Sequence, residues 1–279
     1  LERRAADGQT SMDKLREFLT LCQEEGVRTK PFVVGAGCGR SCCIVPLLSW
    51  HHQSFDTEPD ITCWEGIPRA EHSMVDYSRC TWPSPLSQLD ESVAEAVDAL
   101  NEESAPLPEG AGGEDLPIIS FSHFLPRLEL SPEKRFLFLP NLNKAVGSRF
   151  LGDRVERLGS ELHIFGHTHF GWDAVIGRTR FVQAARGYSA EWRQRPASME
   201  IGSLPKEPVV VWDSDTGFAP KMAARWSEYY ERNARTPEIT HALAPYVAGA
   251  YRRLPGGEVA DWPMGKPDSA SRARLLTAA

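Results

Sequence analysis

The chain has 279 residues, 41% of them hydrophobic and 25% charged, a composition typical of a globular protein with a sizeable core. Its formal net charge is −7, which argues against a general affinity for nucleic acids or anionic membrane surfaces. No apolar run approaches the roughly 20 residues of a membrane-spanning helix. Six cysteines are too few for a disulfide scaffold, so we expect a reducing, intracellular compartment.

The first predicted elements are a helix and a hairpin. Residues 11–25 carry apolar side chains at helical spacing, and Gly26 follows as a residue suited to ending a helix. The apolar runs at residues 32–34 and 42–48 flank a glycine-rich turn, so we expect them to pair as antiparallel strands. Pro46 cannot donate a backbone hydrogen bond, which predicts that the second strand lies at a sheet edge or bulge.

A long segment without a regular period follows this hairpin. Residues 49–86 are rich in aromatic residues and prolines, and we expect an ordered excursion that packs on its aromatic side chains. Residues 87–103 return to helical spacing. Residues 104–115 combine Pro, Gly and acidic residues without a period, which predicts a flexible acidic loop.

A strand–helix–strand unit occupies the middle of the chain. Residues 116–123 form a predicted strand that ends at His123, residues 148–159 form a helix, and residues 161–165 form the next strand. Because sites gather at the carboxyl ends of such strands, His123 and His167 are expected to lie near each other. This order of elements indicates an α/β fold.

Further elements are predicted after this unit. Residues 173–176 and 180–184 are expected to form a hairpin, and residues 208–212 a further strand. Residues 221–234 and 237–252 carry helical spacing. No internal repeat relates these segments to one another.

The segment Gly166-His167-Thr168-His169 places two imidazoles two residues apart at the end of a predicted strand. Side chains at that spacing project to one side of the chain, and the glycine before them allows a sharp turn. Imidazoles presented together at the edge of a rigid sheet are typical of a metal site. His163 lies within the strand itself and is instead expected to be a hydrogen-bonded packing residue.

Two short motifs carry a resemblance to a known family. Ser120-Phe121-Ser122-His123 followed by Gly166-His167-Thr168-His169 resembles the last two motifs of the calcineurin-like metallophosphoesterases, in particular a plant or algal branch. The resemblance implies a β-sandwich flanked by helices, in an α/β/β/α order. It also implies two divalent metal ions (Mn, Fe or Zn), with His123 and His167 binding one ion and His169 the other.

The activity that the resemblance implies is hydrolysis of a phosphomonoester or phosphodiester by metal-activated water. The substrate would be a small molecule or another phosphoester, with no nucleic-acid or membrane partner. The cytoplasm or a plastid is the expected location. The resemblance does not assign a catalytic residue in this chain.

The earlier motifs of that family are absent. The chain contains no Asp-x-His and no Gly-Asn-His, and its Gly152-Asp153 follows His123 within a predicted helix. Those motifs supply the carboxylates that hold two divalent ions together, because neutral imidazoles do not offset the repulsion between the ions. We therefore expect the C-terminal portion of a longer enzyme, inactive alone. A non-catalytic scaffold or partner-binding protein that keeps the fold is the alternative.

This interpretation divides the chain into three parts. Residues 1–215 would form the C-terminal portion of the metallophosphoesterase domain, without the N-terminal part of its sandwich. Residues 216–253 would form a C-terminal helical extension, and residues 254–279 a disordered tail.

Five further residues are candidates for contacts at the site. Arg178, Arg180 and Arg186 flank the histidine segment and are candidates to bind a substrate phosphate, with surface solvation as the alternative. His51 and His52 either face the rim of the cleft or are solvated loop residues.

A cysteine-based zinc module is a third interpretation. Cys38, Cys42 and Cys43 form a C-x₃-C-C cluster, which matches no standard zinc-knuckle spacing. Cys42 and Cys43 are expected to point to opposite faces of a strand, so free thiols are the favoured interpretation.

Overall fold

The computed structural model describes residues 8–37, 39–103, 106–202 and 208–261 of the chain. Its helices are α1 (Ser11–Glu24), α2 (Ala70–Ser73), α3 (Asp76–Arg79), α4 (Ser92–Ala99), α5 (Arg149–Leu158), α6 (Ser189–Gln194), α7 (Pro196–Met199), α8 (Arg225–Arg232) and α9 (Pro245–Ala248). Its strands are β1 (Phe32–Val34), β2 (Cys42–Pro46), β3 (Trp64–Glu65), β4 (Ile118–Phe121), β5 (Leu162–Ile164), β6 (Trp172–Ile176), β7 (Thr179–Gln183), β8 (Trp212–Asp213), β9 (Gly217–Phe218), β10 (Ala242–Leu243), β11 (Arg252–Arg253) and β12 (Glu258–Val259). Short 3₁₀ helices span Gln53–Phe55, Leu128–Leu130, Lys134–Phe136 and Pro140–Ala145. In the described part of the chain, no helix combines the length and apolar character needed to cross a bilayer.

The main sheet has six strands in the order β1-β2-β4-β5-β7-β6. The four inner strands run parallel, whereas β1 and β6 are antiparallel to their neighbours at the two edges. Helix α5 connects β4 to β5, as the predicted strand–helix–strand unit requires. The α/β class is thus confirmed, with a mixed sheet and flanking helices.

The predicted position of Pro46 is wrong. The hairpin of β1 and β2 forms, but β2 lies inside the sheet between β1 and β4. Pro46 is tolerated there because it is the last residue of β2, opposite Phe121, and the next donor is the Leu47 backbone N–H, which bonds the Phe121 carbonyl at 2.9 Å.

Both faces of the sheet are covered. One face packs against the segment between α7 and α8, through the buried residues Cys42, Ile119, Leu162, Val182, Ile201 and Ala224. The other face packs at β2 and β4 against Leu158 of α5, through the buried residues Cys43, Val45 and Ile118. Coverage on both sides explains why the inner strands β2 and β4 read as largely apolar runs. It also makes the edge at the carboxyl ends of the parallel strands the position for a site.

A second large sheet is not found among the described residues. The strands outside the main sheet form three two-stranded pairs, β10 with β12, β3 with β11, and β8 with β9. The expected β-sandwich of two packed sheets is therefore not found in the described residues, where the main sheet forms a single layer.

The C-terminal expectations are corrected in detail. The predicted helix at 221–234 is confirmed in part as α8, whereas 237–252 contains only the single turn α9 between two short strands. Residues 258–259 form β12, which pairs in parallel with β10, so the start of the predicted tail is ordered. Its remainder, residues 262–279, lies outside the described residues.

The aromatic-rich excursion (residues 49–86) and the acidic loop (residues 104–115), which carry no regular hydrophobic period, compare differently with their predictions. Trp50 of the excursion packs with Phe124, Val93 of α4 and Leu15 of α1, which confirms that aromatic side chains anchor it. Part of the acidic loop also packs, because Ala111 contacts the cluster around Cys43. Residues 104–105 of that loop lie outside the described residues.

Candidate active site

The carboxyl ends of β4 and β5 hold the candidate site. The backbone N–H of Gly166 donates to the carbonyl of His123 at 3.0 Å, and the N–H of Ser122 donates to the carbonyl of Ile164 at 3.0 Å. A Cβ at position 166 would lie 3.4 Å from His123 Nδ1, an ordinary van der Waals distance, so the two segments are in direct contact here. The topology thus brings together the two segments that the sequence singled out.

Both histidines after Gly166 adopt left-handed backbone conformations. The φ angle is 74° at His167 and 56° at His169, a region that costs a non-glycine residue about 1–3 kcal/mol. Buried Thr168 lies between them, and its Oγ1 accepts from Gln183 Nε2 at 2.9 Å. The same Gln183 amide donates to the carbonyl of Phe170 at 2.7 Å. These bonds hold the loop against β7, and backbone strain of this kind clusters at functional sites.

His123 and His167 contact each other directly. His167 Nδ1 lies 3.3 Å from His123 Nε2, and the ring centroids are 5.2 Å apart at 78°. His167 Nε2 donates to the Ala145 carbonyl at 2.9 Å, because a carbonyl oxygen can only accept. Nδ1 of His167 therefore carries the lone pair and accepts from His123 Nε2–H. Both ring nitrogens of His167 are used within the protein.

The pair is held in its neutral form. Burial lowers the pKa of His167 to about 3, with smaller contributions from His123 and His51. Burial also lowers the pKa of His123, and the carboxylate of Asp76 offsets part of that effect. Near neutral pH the pair of His123 and His167 is thus uncharged, with the carboxylate of Asp76 acting on His123.

His169 pairs with a carboxylate instead of a second imidazole. Its Nδ1 lies 2.8 Å from Glu191 Oε2, and the Tyr188 ring meets the imidazole edge-on at a centroid distance of 5.3 Å. Glu191 lies on α6, which follows β7 and returns the chain to the histidine loop. The carboxylate also accepts from the Tyr188 backbone N–H at 2.8 Å and from Arg195 at 2.5 Å.

His51 and His52 are buried, so the expectation of solvated loop residues is wrong. His51 is 1% exposed and packs its ring against Phe124 at 5.3 Å, and Phe124 in turn packs against His167 at 4.6 Å. Neither ring nitrogen of His51 has a hydrogen-bond partner among the described residues. His52 faces away from the pair, and its Nε2 accepts from the backbone N–H of Arg149 at 3.1 Å.

His163 is a packing residue, as predicted. It is fully buried, with Nδ1 2.8 Å from Ser120 Oγ and Nε2 3.0 Å from Ser122 Oγ. Burial lowers its pKa to about 3, so the ring stays neutral in the interior. Its role is to satisfy and fix the two serines of the strand that ends at His123.

Comparison with known proteins gives one distant relative. No protein-family model matches the chain. Over 225 residues it is 25% identical to the acyl-carrier-protein phosphodiesterase PptH of Mycobacterium tuberculosis, an alignment that covers 77% of this chain and 67% of that protein. The crystal structure of the phosphopantetheinyl hydrolase PptH from the same organism aligns with a TM-score of 0.47 and 18% identity, covering 70% of this chain and 68% of that one.

This finding corrects the resemblance drawn from the two short motifs. The similarity that extends along the chain is to PptH, a bacterial phosphodiesterase, and no family model supports membership of the calcineurin-like metallophosphoesterases or of their plant or algal branch. Two four-residue motifs without the motifs that should precede them carried too little sequence to identify a family. The distant similarity to PptH suggests that the chain is a hydrolase.

The structure does not bring Arg178 and Arg180 to the histidines. Arg180 pairs with Asp173 at 2.7 Å, and Arg178 donates to the Glu156 carbonyl near the C-terminal end of α5 at 3.0 Å. Both lie at the amino end of β7, whereas the histidine loop lies at the carboxyl end. The phosphate contacts expected of these two arginines gain no support from this placement and stay predictions. Arg186 follows β7 at its carboxyl end, and its expected contact with a substrate phosphate stays a prediction.

The residues as arranged do not fit a two-metal centre. In the described ranges, no group of three or more His, Cys, Asp or Glu side chains is placed to hold a metal ion. Both nitrogens of His167 and the Nδ1 of His169 are already engaged. The metal-ligand roles of His123, His167 and His169 stay predictions.

The cysteine alternative gains no support. Cys42 and Cys43 are fully buried and point to opposite faces of β2, as predicted, and Cys38 lies outside the described residues. Burial raises the pKa of the Cys42 thiol to about 11, which disfavours the thiolate that a zinc ligand needs.

Two residues of the site were not predicted from the sequence, and the burial of a third was not. Glu191 and Asp76 approach the histidines from α6 and α3, which are single turns or little more and leave almost no periodic signal. His51 was named, but its burial against Phe124 depends on contacts far apart along the chain. Only the adjacent Trp50, an apolar anchor, hinted that this segment turns inward.

Proposed function

We propose that the chain is a phosphodiesterase that releases a phosphopantetheine-type group from an acyl carrier protein. The observation that carries the proposal is the 25% identity over 225 residues to the acyl-carrier-protein phosphodiesterase PptH. The alignment spans 77% of this chain, so it extends well beyond one motif. The imidazole cluster at the carboxyl edge of the main sheet supports the same reaction class.

Hydrolysis of a phosphodiester needs a proton taken from water and a proton given to the leaving oxygen. Neutral imidazoles with a free nitrogen can do both. His123 is exposed and donates its Nε2 proton to His167, which in turn is fixed by the Ala145 carbonyl. This fixed pair can orient the phosphodiester at the edge of the sheet without reorganising during the reaction.

The test is conversion of a holo-acyl carrier protein to its apo form, followed by mass spectrometry of the intact carrier. Parallel reactions contain Mn²⁺, Fe²⁺, Zn²⁺ or EDTA, because the metal-ligand roles of His123, His167 and His169 are still predictions. His167→Ala is expected to reduce turnover by about 10²-fold or more, since it removes the residue around which the site is built. His72→Gln, at an exposed histidine of α2, is the matched control and should keep parental turnover.

Two outcomes would contradict the proposal. Failure of the parent to convert the carrier in every metal arm would refute the substrate, and carrier binding without conversion would support a partner-binding protein. Near-parental turnover in His167→Ala would leave the activity standing but refute the assignment of the site.

A further inference from the structure

Tyr188 is the most exposed large hydrophobic residue in the part of the chain that the structure describes. It is 71% exposed, compared with 66% for Leu89 and 64% for Val210. A ring in this position buries little area and therefore adds little to the stability of the fold. Single apolar residues are common on protein surfaces, so exposure alone does not indicate a site. The position of Tyr188 and the anchoring of its backbone are what indicate a role.

The chain reaches Tyr188 directly from the carboxyl end of β7. This strand ends at Gln183 and runs parallel to β5, so residues 184–188 leave the main sheet at the edge that holds the candidate site. The Tyr188 ring lies edge-on to the ring of His169, with a centroid distance of 5.3 Å. The exposed ring therefore stands at the rim of the candidate site.

The backbone around Tyr188 is anchored at consecutive residues. The carbonyl of Arg186 accepts from Nε1 of the buried Trp192 at 2.6 Å, and Gly187 has a φ of 55°, a conformation that favours glycine. The backbone N–H of Tyr188 donates to Glu191 Oε2 at 2.8 Å, and its carbonyl accepts from the backbone N–H of Trp192 at 3.2 Å. The main chain is thus fixed, while the ring extends into solvent.

A fixed and exposed tyrosine offers a ring face for apolar groups and a hydroxyl for a hydrogen bond. The proposed substrate carries two groups beside its phosphodiester, a pantetheine arm and a folded carrier protein. The arm is a slender, uncharged chain of methyl and amide groups, which matches both features of the ring. A stable protein interface buries about 800 Å² per partner around several anchors. Residues 184–190 contain no second large apolar side chain, so the segment fits the arm better.

We propose that Tyr188 is a specificity-determining residue that binds the pantetheine arm beside the phosphodiester. This inference rests on the proposed phosphodiesterase function and extends it to recognition of the substrate. The ring face packs against the methyl groups of the arm, and the hydroxyl bonds one of its amides. Tyr188 takes no part in making or breaking bonds. Its contribution is therefore to binding, which raises the affinity for the ground state and the transition state alike.

Tyr188→Ala tests this role in the intact chain. We expect KM for the holo-carrier to rise about tenfold with kcat within about twofold, because the variant loses a contact that is uniform along the reaction. Tyr188→Phe keeps the ring, so KM should stay within about threefold of the parental value. An unchanged KM in Tyr188→Ala would overturn the proposal.

Val175→Ala is the matched control for loss of an exposed apolar side chain. Val175 is 61% exposed and pairs with Arg180 near the amino end of β7, at the opposite edge of the sheet. Both kinetic constants should keep their parental values in this variant. Thermal unfolding of all variants should match the parent, since neither side chain is buried.

Inhibition separates the arm from the carrier. Free pantetheine and the apo-carrier are tested as competitive inhibitors of the parent and of Tyr188→Ala. We expect the inhibition constant of pantetheine to rise about tenfold in the variant, while that of the apo-carrier stays within about twofold. The reverse pattern would place Tyr188 in a carrier interface and overturn its assignment to the arm. An inactive parent would refute the proposed function, whereas an active parent with unchanged pantetheine inhibition in the variant would refute only the role of Tyr188.

Discussion

Mild acid is expected to unfold this protein through its buried histidines. Burial lowers the pKa of four imidazoles far below the ordinary value of 6.5, to about 3 or about 4; these are His51, His52, His163 and His167. A histidine whose pKa is lower in the folded chain stabilises the fold above the unfolded pKa and loses that contribution as the pH falls. The sensitive window therefore runs from about pH 6.5 down to about pH 3.

The size of the effect follows from the shift between the two states. At about pH 5 the unfolded chain has protonated each of these rings, which costs about 2 kcal/mol per histidine relative to neutral pH. Four such rings amount to about 8 kcal/mol, which is comparable to the whole stability of an ordinary domain. The pKa of Asp56 is raised by its own burial, so its protonation stabilises the folded chain as the pH falls. This carboxyl therefore offsets part of the stability that the histidines lose.

Urea unfolding at about pH 7.5, 6.5, 5.8 and 5 measures this dependence. His163→Asn removes one titrating ring and should reduce the loss between the extreme pH values by about 2 kcal/mol. His72→Gln, at an exposed histidine, should keep the parental dependence. A free energy of unfolding that changes by less than about 2 kcal/mol over the whole window would refute the reasoning.

Three further predictions concern the scaffold. Lys134→Met should destabilise the fold by about 3–5 kcal/mol, because the Lys134 side chain is 3% exposed and its ammonium lies 2.7 Å from buried Asp56, which would be left unpaired. In chemical denaturation, adding Asp56→Asn should recover most of this loss, and no recovery would contradict the pairing. Gly171→Ala should cost about 1–3 kcal/mol in thermal unfolding because its Cβ would lie 2.2 Å from the Glu200 carbonyl, whereas Gly249→Ala meets nothing within 4 Å and should be neutral. Cys42 and Cys43 should resist iodoacetamide in the folded protein, because both thiols are fully buried and burial raises their pKa values. Peptide mass spectrometry measures the labelling, and labelling at the rate of the unfolded chain would disprove their burial.

The central part of the fold could be predicted because its signals are local. Residues 116–123, 148–159 and 161–165 each carry a period or an apolar run that identifies one element, and parallel strands place their carboxyl ends at one edge. That rule alone predicted the meeting of His123 and His167, whose ring nitrogens lie 3.3 Å apart. The direction of a strand also decides which neighbours cannot meet. Arg178 and Arg180 are close to the loop in sequence, but they lie at the opposite end of β7.

What could not be predicted depends on contacts between distant segments. The position of β2 inside the sheet results from its pairing with β4, some 70 residues later, and nothing local to Pro46 reveals that partner. The contact between Glu191 and His169 spans 22 residues and depends on two short helices that bring the chain back to the site. The family resemblance failed for a related reason. Local motifs report the chemistry of side chains, whereas membership of a family is carried by similarity along the whole chain.

The backbone of the histidine loop indicates which residues serve function and which serve folding. At φ angles of 74° and 56°, glycine would relieve about 1–3 kcal/mol at each of positions 167 and 169. His163, by contrast, lies in an ordinary strand and contacts the hydroxyls of buried Ser120 and half-buried Ser122, so its imidazole contributes to the fold directly. His167 also bonds within the protein through both ring nitrogens, whereas Nε2 of His169 makes no hydrogen bond among the described residues. Backbone strain of this kind clusters at functional sites, so the conformation of positions 167 and 169 supports the proposed placement of the site at this loop.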